Sequence, residues 1–263
     1  MNRLTILVEN SVRQRGLQAE HGLSFWLELG SVRLLFDAGQ SDLFLRNARH
    51  LGIDLMTSHT VILSHGHYDH GGGLAFFPGW SRGPRLLAHP DAFVQKSGRY
   101  ESSGLPWSFS DRPDIAARLL PCRAITQVAD LAWVLTDIPT IEIWEQTDRD
   151  KGTKQMPEEQ LLVIDGKKGL TVVLGCSHPG PVSCLRYVQR CFPGRSIDTV
   201  IGGMHLSDVI DIRLNQTIEA LRELAVRRVY PMHCTGAASI CTMSTALGHT
   251  VQYAQTGSTI LIE

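Results

Sequence analysis

The first sixty residues place apolar and polar positions in short runs broken by turn residues. RLTILVE, LSFWLEL and VRLLFD each read as a strand, the last two separated by a Gly-Ser turn, so the chain opens β-rich. The period then changes. In SDLFLRNARHLG the apolar Leu43, Phe44, Ala48 and Leu51 fall on helical spacing, Ser41 stands at the N-cap and Gly52 marks the stop. VILS, at 61–64, and RLLAH, at 85–89, return to strand. Later, LLVIDGKKGLTVVLG reads as two strands around a turn, and IDTVIGG as a buried strand. DIRLNQTIEALRELAVRR is the strongest helix pattern, with Leu214, Ile218, Leu221 and Ala225 on one stripe. RVYPMH is a strand, GAASICTMSTALG a helix and STILIE the closing strand. This order predicts one α/β domain over residues 1–263, with two layers of sheet covered by helices.

Residues 97–160 break the pattern. They are polar and punctuated by Pro and Gly, and carry Tyr100, Trp107, Phe109, Trp133 and Trp144 without sustained periodicity. They are expected to elaborate the core. Their aromatics either shape a substrate pocket, stacking on a flat ring, or simply pack the insert down.

Composition narrows the partners. A chain of 263 residues, 43% hydrophobic, can bury a large core, and 25 basic against 26 acidic residues leave a net charge of -1 with no footprint for nucleic acid. No run is long enough to span a membrane and the N-terminus lacks a signal-peptide pattern, so a cytoplasmic protein is expected. The six cysteines form no CxxC pair; in a reducing compartment most are expected to be small buried residues. Cys176 and Cys234 stand out because they flank other candidate site residues.

The chemistry concentrates in SHGHYDHGGGL. His65, His67, Asp69 and His70 lie within six positions. A strand would turn His70 away from the other three, and a helix would separate His65 from His67. A loop leaving the strand at 61–63, with Gly71, Gly72 and Gly73 permitting a sharp turn, lets all four converge. Neutral imidazole and carboxylate are ligands for zinc, iron or manganese, so the loop predicts a metal site. Three more histidines follow predicted strands beside small residues: His178 in GCSHPG, His205 in GGMHL and His233 in YPMHCTG.

Together, Asp37 in LLFDAG, the HxHxDH loop, His178 and His233 resemble the metallo-β-lactamase superfamily over nearly the whole chain. AEHGLSF, LLFDAG, SHGHYDHGGGL, GCSHPG, GGMHL and HCTG further resemble its branch related to the methanopterin-pathway, dihydropteroate-synthase-like synthase. The resemblance implies a four-layer αββα sandwich. It also implies two divalent ions, zinc first with iron or manganese accepted by the same ligands: His65, His67 and His178 on one, Asp69, His70 and His233 on the other. Asp37 would orient a ligand histidine by accepting its other N–H. Where many members carry a bridging Asp or a Cys, this chain has Met204 and His205. His205 therefore either ligates, faces the substrate, or is a buried structural histidine. His21 and His89 fall in segments that the resemblance places near the site mouth, whereas His50, His59 and His249 are expected to have no role.

Two such ions lower the pKa of a shared water and neutralise charge on a substrate oxygen. Asp69 is the expected catalytic residue, orienting that water. Lacking a bridging carboxylate, the site favours a small anionic, phosphorylated substrate. The expected function is metal-dependent hydrolysis. The alternatives are a transferase that displaces diphosphate from a pterin-methyl diphosphate, or a non-catalytic binding protein on the same fold.

Overall fold

The computed structural model describes residues 2–81, 83–96, 102–146, 156–207 and 209–263. Tyr100, one of the aromatics singled out from the sequence, lies outside them. The chain folds as two compact units, Met1–Arg123 with Gln255–Glu263, and Ala124–Ala254.

The first unit holds strands β1 (Asn2–Val8), β2 (Ser24–Leu29) and β3 (Val32–Phe36), helix α1 (Leu43–His50), β4 (Thr60–Ile62), a one-turn helix α2 (Tyr68–Gly71), β5 (Arg85–Ala88), α3 (Pro113–Ala116) and β6 (Leu119–Pro121). These six strands and the C-terminal strand Thr259–Ile262 make a seven-stranded sheet, ordered C-terminal strand, β1, β2, β3, β4, β5, β6. Pairing is antiparallel as far as β3 and parallel from β3 to β6. The predicted helix over 41–52 forms with one adjustment: the chain enters it at Asp42, and Ser41 Oγ accepts the Leu43 N–H at 3.1 Å from one position further out. Leu43, Phe44 and Ala48 of α1 join Leu7, Val8, Trp26 and Leu35 in this unit's core. Each leucine, valine or phenylalanine among them contributes about 1.5–3 kcal/mol when withdrawn from water.

The second unit holds β7 (Thr126–Ala129), β8 (Ala132–Leu135), β9 (Leu161–Asp165), β10 (Leu170–Leu174), α4 (Pro181–Cys191), β11 (Ile197–Gly203), α5 (Asp211–Glu223), β12 (Arg228–Met232) and α6 (Ala237–Leu247). Its six-stranded sheet runs β12, β11, β10, β9, β8, β7, with β10, β11 and β12 mutually parallel. Its core includes Leu161, Val163, Val172, Leu174, Leu185, Val188, Ile218 and Leu221.

The structure adds to the sequence reading at three points. The stretch 97–160 contributes α3, β6, β7 and β8, and the three strands pair into the two sheets; at three or four residues each they are too short to show a period. Helix α4 was not expected. It opens on Gly180-Pro181, and buried Glu145 accepts the Val182 and Ser183 N–H groups at 2.9 and 2.7 Å, although burial pushes the Glu145 carboxyl pKa up. The α5 pattern runs on past its true end: Ala225 is exposed at φ 50°, the Ala225 N–H bonds Arg222 O and the Val226 N–H bonds Leu221 O, which is a Schellman stop.

An alanine in the left-handed region costs about 1–2 kcal/mol relative to its right-handed form. Ala225→Gly is therefore expected to stabilise the protein by about 0.5–1 kcal/mol, after allowing for the greater freedom of unfolded glycine. A urea midpoint that stays put or falls would count against this turn geometry.

Candidate metal centre

In the first unit, three adjacent parallel strands deliver polar residues at their carboxyl ends: Asp37 after β3, His65 two residues past Leu63 after β4, and His89 after β5. Asp37 is fully buried and sits at φ 57°. Its Oδ1 accepts the Ser64 N–H at 2.7 Å, and its Oδ2 lies 2.7 Å from both Ser64 Oγ and His70 Nδ1. Burial pushes the Asp37 carboxyl pKa up, against the opposing pull of His70 and Ser64. Because Nδ1 faces Asp37, the Nε2 lone pair of the buried His70 is directed to the opposite side of the ring.

Ser64 has a single hydroxyl proton. If Asp37 accepts it, His65 Nδ1, 2.8 Å from Ser64 Oγ, must donate, which puts the lone pair of the neutral His65 ring on Nε2. That Nε2 lies 3.0 Å from His67 Nδ1. Two imidazole nitrogens on a tetrahedral zinc stand about 3.3 Å apart, so the spacing suits a cation. The His65 and His70 rings are 4.2 Å apart, and Asp69 Oδ2 is 4.0 Å from His70 Nε2. The exposed His21 places Nε2 3.1 Å from Asp69 Oδ2.

The glycines act differently from expectation. None of Gly71, Gly72 and Gly73 has a positive φ; they are required by crowding. A methyl at Gly73 would come 2.1 Å from Ala38 O, and one at Gly66 would come 1.8 Å from Ala92 O.

The second unit repeats the device at the carboxyl ends of β10, β11 and β12. Cys176 and His178 follow the first, Met204 and His205 the second, His233 and Cys234 the third. Glu159, buried like Asp37, accepts the Cys176 and Ser177 N–H groups at 3.1 and 2.9 Å and holds His178 Nδ1 at 2.7 Å. The rings of His178 and His205 are 4.7 Å apart. Cys234 Sγ accepts the His205 N–H at 3.3 Å. Two donor triads result, Cys176 with His178 and His205, and Cys176 with His233 and Cys234, the atoms of each lying within 4.8 Å of one another. This mixture of imidazole and thiol suits a borderline divalent ion.

Ser177, His205 and His233 stand at φ 55°, 47° and 53°. With Asp37 they are four of the six non-glycine residues with positive φ among the described residues. Such strain collects where function fixes the backbone.

The first unit thus gathers Asp37, His65, His67, Asp69 and His70, and the second gathers His178, His205 and His233. His205 is exposed, which removes the buried structural role weighed for it, and Met204 is buried. Sequence reasoning missed Glu159: its segment, Glu158-Glu159-Gln160, is fully buried despite its polarity, and nothing in its local pattern marks this. Trp107 and Phe109 pack with Phe93, and Trp107 donates its indole N–H to Gly71 O; Trp133 packs on Phe192. These aromatics serve packing.

The fold and its metal-ligating clusters define an enzyme of the metal-dependent hydrolase type. The superfamily profile matches residues 18–190, and the chain belongs to the metallo-beta-lactamase superfamily. It is similar to the 7,8-dihydropterin-6-methyl-4-(beta-D-ribofuranosyl)-aminobenzene-5'-phosphate synthase of Methanocaldococcus jannaschii, 31% identical over 83% of this chain and 82% of the synthase. An uncharacterized protein of the same organism, MJ0448, is 28% identical over 92% of this chain and 93% of its own. Among solved structures, Tm1679, a metal-dependent hydrolase of the beta-lactamase superfamily, superimposes with a TM-score of 0.83 at 29% identity, covering 100% of this chain and 99% of that one. Two sheets with flanking helices are the architecture that this likeness shows. Among the described residues no helix is long and apolar enough to cross a membrane.

Glu159→Ala would leave two buried backbone N–H groups without their acceptor, at about 1–3 kcal/mol each. Chemical denaturation is expected to show a loss of about 2–4 kcal/mol, with Glu159→Gln losing less. An unchanged midpoint in the alanine variant would contradict the role given to this carboxylate.

Proposed function

We propose that the protein is a cytoplasmic dinuclear metallohydrolase of small anionic, phosphorylated molecules. His65, His67 and His178 would hold one divalent cation, zinc before iron or manganese, and Asp69, His70 and His233 the other. When bound, the two cations supply Lewis-acid activation of a water and neutralise charge on the substrate. Asp37 fixes the His70 ring and Glu159 fixes the His178 ring, so that in each case Nε2 is the ligating nitrogen. Asp69, in contact with His21, is the group that orients the attacking water and accepts its proton.

The observation that carries this reading is the repeated device of a buried carboxylate aiming an imidazole, once in each unit. It occurs on a chain that aligns along its whole length with a metal-dependent hydrolase. The anionic preference follows from Met204, which supplies no negative charge after β11, where many superfamily members place a carboxylate or a thiolate.

A second reading is favoured by the 31% identity to the synthase. In it, the same centre catalyses transfer: the C–O bond of a pterin-methyl diphosphate breaks, a bond forms from that carbon to the nitrogen of an aromatic amine, the diphosphate leaves and the amine gives up a proton. In either case the site stabilises a departing anion.

Chelation is expected to abolish turnover and added zinc to restore it. Asp69→Ala is expected to lower kcat/KM on a phosphoester by about 10²-fold or more and to weaken retention of the cation that Asp69 shares with His70 and His233. Full turnover in that variant would remove Asp69 from the chemistry. Product analysis with and without an aromatic amine separates the two readings: consumption of water alone supports hydrolysis, and a new C–N bond supports transfer.

A further inference from the structure

We propose that Cys176 and Cys234 are metal ligands, so that the second unit offers one cation two thiolates together with His233, where the site above was drawn with histidines and Asp69 alone. The proposal rests on that metallohydrolase reading and deepens it, because it fixes which class of metal the centre takes.

Three observations support it. The sulfurs of Cys176 and Cys234 and a ring nitrogen of His233 lie within 4.8 Å of one another, and Cys176 is common to both donor triads of this unit. Zinc–sulfur and zinc–nitrogen bonds of about 2.3 and 2.0–2.1 Å put ligand atoms roughly 3.3–3.8 Å apart, a distance that modest side-chain rotation reaches.

Surrounding groups also fix the Cys176 backbone and the Cys234 sulfur. The Cys176 backbone is pinned by Glu159, which accepts its N–H at 3.1 Å. Cys234 Sγ is held by the His205 N–H and lies 3.7 Å from Cys176 O. Gly203 leaves space for it: a methyl there would come 2.6 Å from that sulfur and 2.5 Å from Gly175 O. The left-handed backbone at His233, φ 53°, is the local strain that presents His233 and Cys234 from one short turn.

The third observation is a missing charge. Met204 is buried after β11 and neutral, so the second unit brings no carboxylate to the centre from that strand. Thiolates supply the anionic donors instead. Binding converts two S–H groups to thiolates and releases two protons to solvent. Two divalent ions, Asp69 and two thiolates leave a formal charge of about +1, which still attracts a phosphorylated substrate. Thiolate donors select zinc, cobalt or iron over manganese and magnesium.

The test is cobalt(II) binding followed by absorbance, which reads the donor set directly and needs no substrate. The full chain, reduced and stripped of metal, is titrated with cobalt(II). A sulfur-to-cobalt charge-transfer band in the near ultraviolet is expected, lost in Cys176→Ser and weakened or lost in Cys234→Ser. It should be retained in His67→Ala, which is expected to lose one equivalent of cobalt. In the unmutated protein, bound zinc is expected to protect Cys176 and Cys234 from alkylation, as mapped by peptide mass, so the result does not depend on the variants folding. Manganese should compete with zinc at least tenfold less well in the unmutated protein than in Cys176→Ser. Two cobalt ions bound without a sulfur band, or equal alkylation of both cysteines with and without zinc, would overturn the thiolate ligands and leave the metallohydrolase reading standing. A failure to bind cobalt at all would overturn both.

Discussion

A carboxylate with no access to water is the constraint on which each half of the chemistry depends. Asp37 accepts the Ser64 N–H and hydroxyl and fixes His70 Nδ1 at 2.7 Å, while Glu159 accepts the Cys176 and Ser177 N–H groups and fixes His178 Nδ1 at 2.7 Å. A buried carboxyl without partners would be severely destabilising, so the surrounding N–H groups and the imidazole are obligatory. The same bonds that satisfy the acid therefore orient the ligand. Cohesion and function share the same atoms, and the left-handed residues at the strand ends are tolerated because these bonds hold them there.

The parallel segments explain where these groups sit. In β3 to β5 and again in β10 to β12, adjacent strands point the same way, so three successive loops leave the sheet along one edge. Ligands bind at such edges because loops are free to vary there while the strands fix their roots. His89 occupies the third of these positions in the first unit, buried ahead of Pro90, and its ring accepts the Asp91 N–H at 3.2 Å. Its place in the fold matches that of His233 in the second unit, but its lone pair is engaged in a turn.

Much of this was legible in the sequence, and what was not has physical reasons. The long strands and α1 announce themselves because their apolar residues repeat over five or more positions, and the HxHxDH loop because four ligating types crowd into six residues. The apolar stripe carries on past the end of α5 because Ala225 fits it; only the backbone reveals that the chain has already turned left-handed. Strands β6, β7 and β8 are too short to carry a period, and the Pro and Gly residues around them argue locally for loop. Glu159 was invisible for a deeper reason. A polar residue is read as exposed unless its partners are known, and those partners, Cys176, Ser177 and His178, arrive seventeen to nineteen positions later, across a strand pair. The cysteines stand out in the sequence only as neighbours of histidines, since sequence distance says nothing about where a sulfur points.

The crowding around Gly66 and Gly73 also limits how this protein can diverge. Side chains larger than hydrogen at these points would collide with carbonyl oxygens of Ala92 and Ala38, which belong to the main chain and cannot rotate aside. Descendants of this sequence must therefore keep the histidine bend almost unaltered while they acquire new preferences through exposed segments elsewhere. A laboratory library aimed at changing substrate choice would waste most of its members if it randomised this bend.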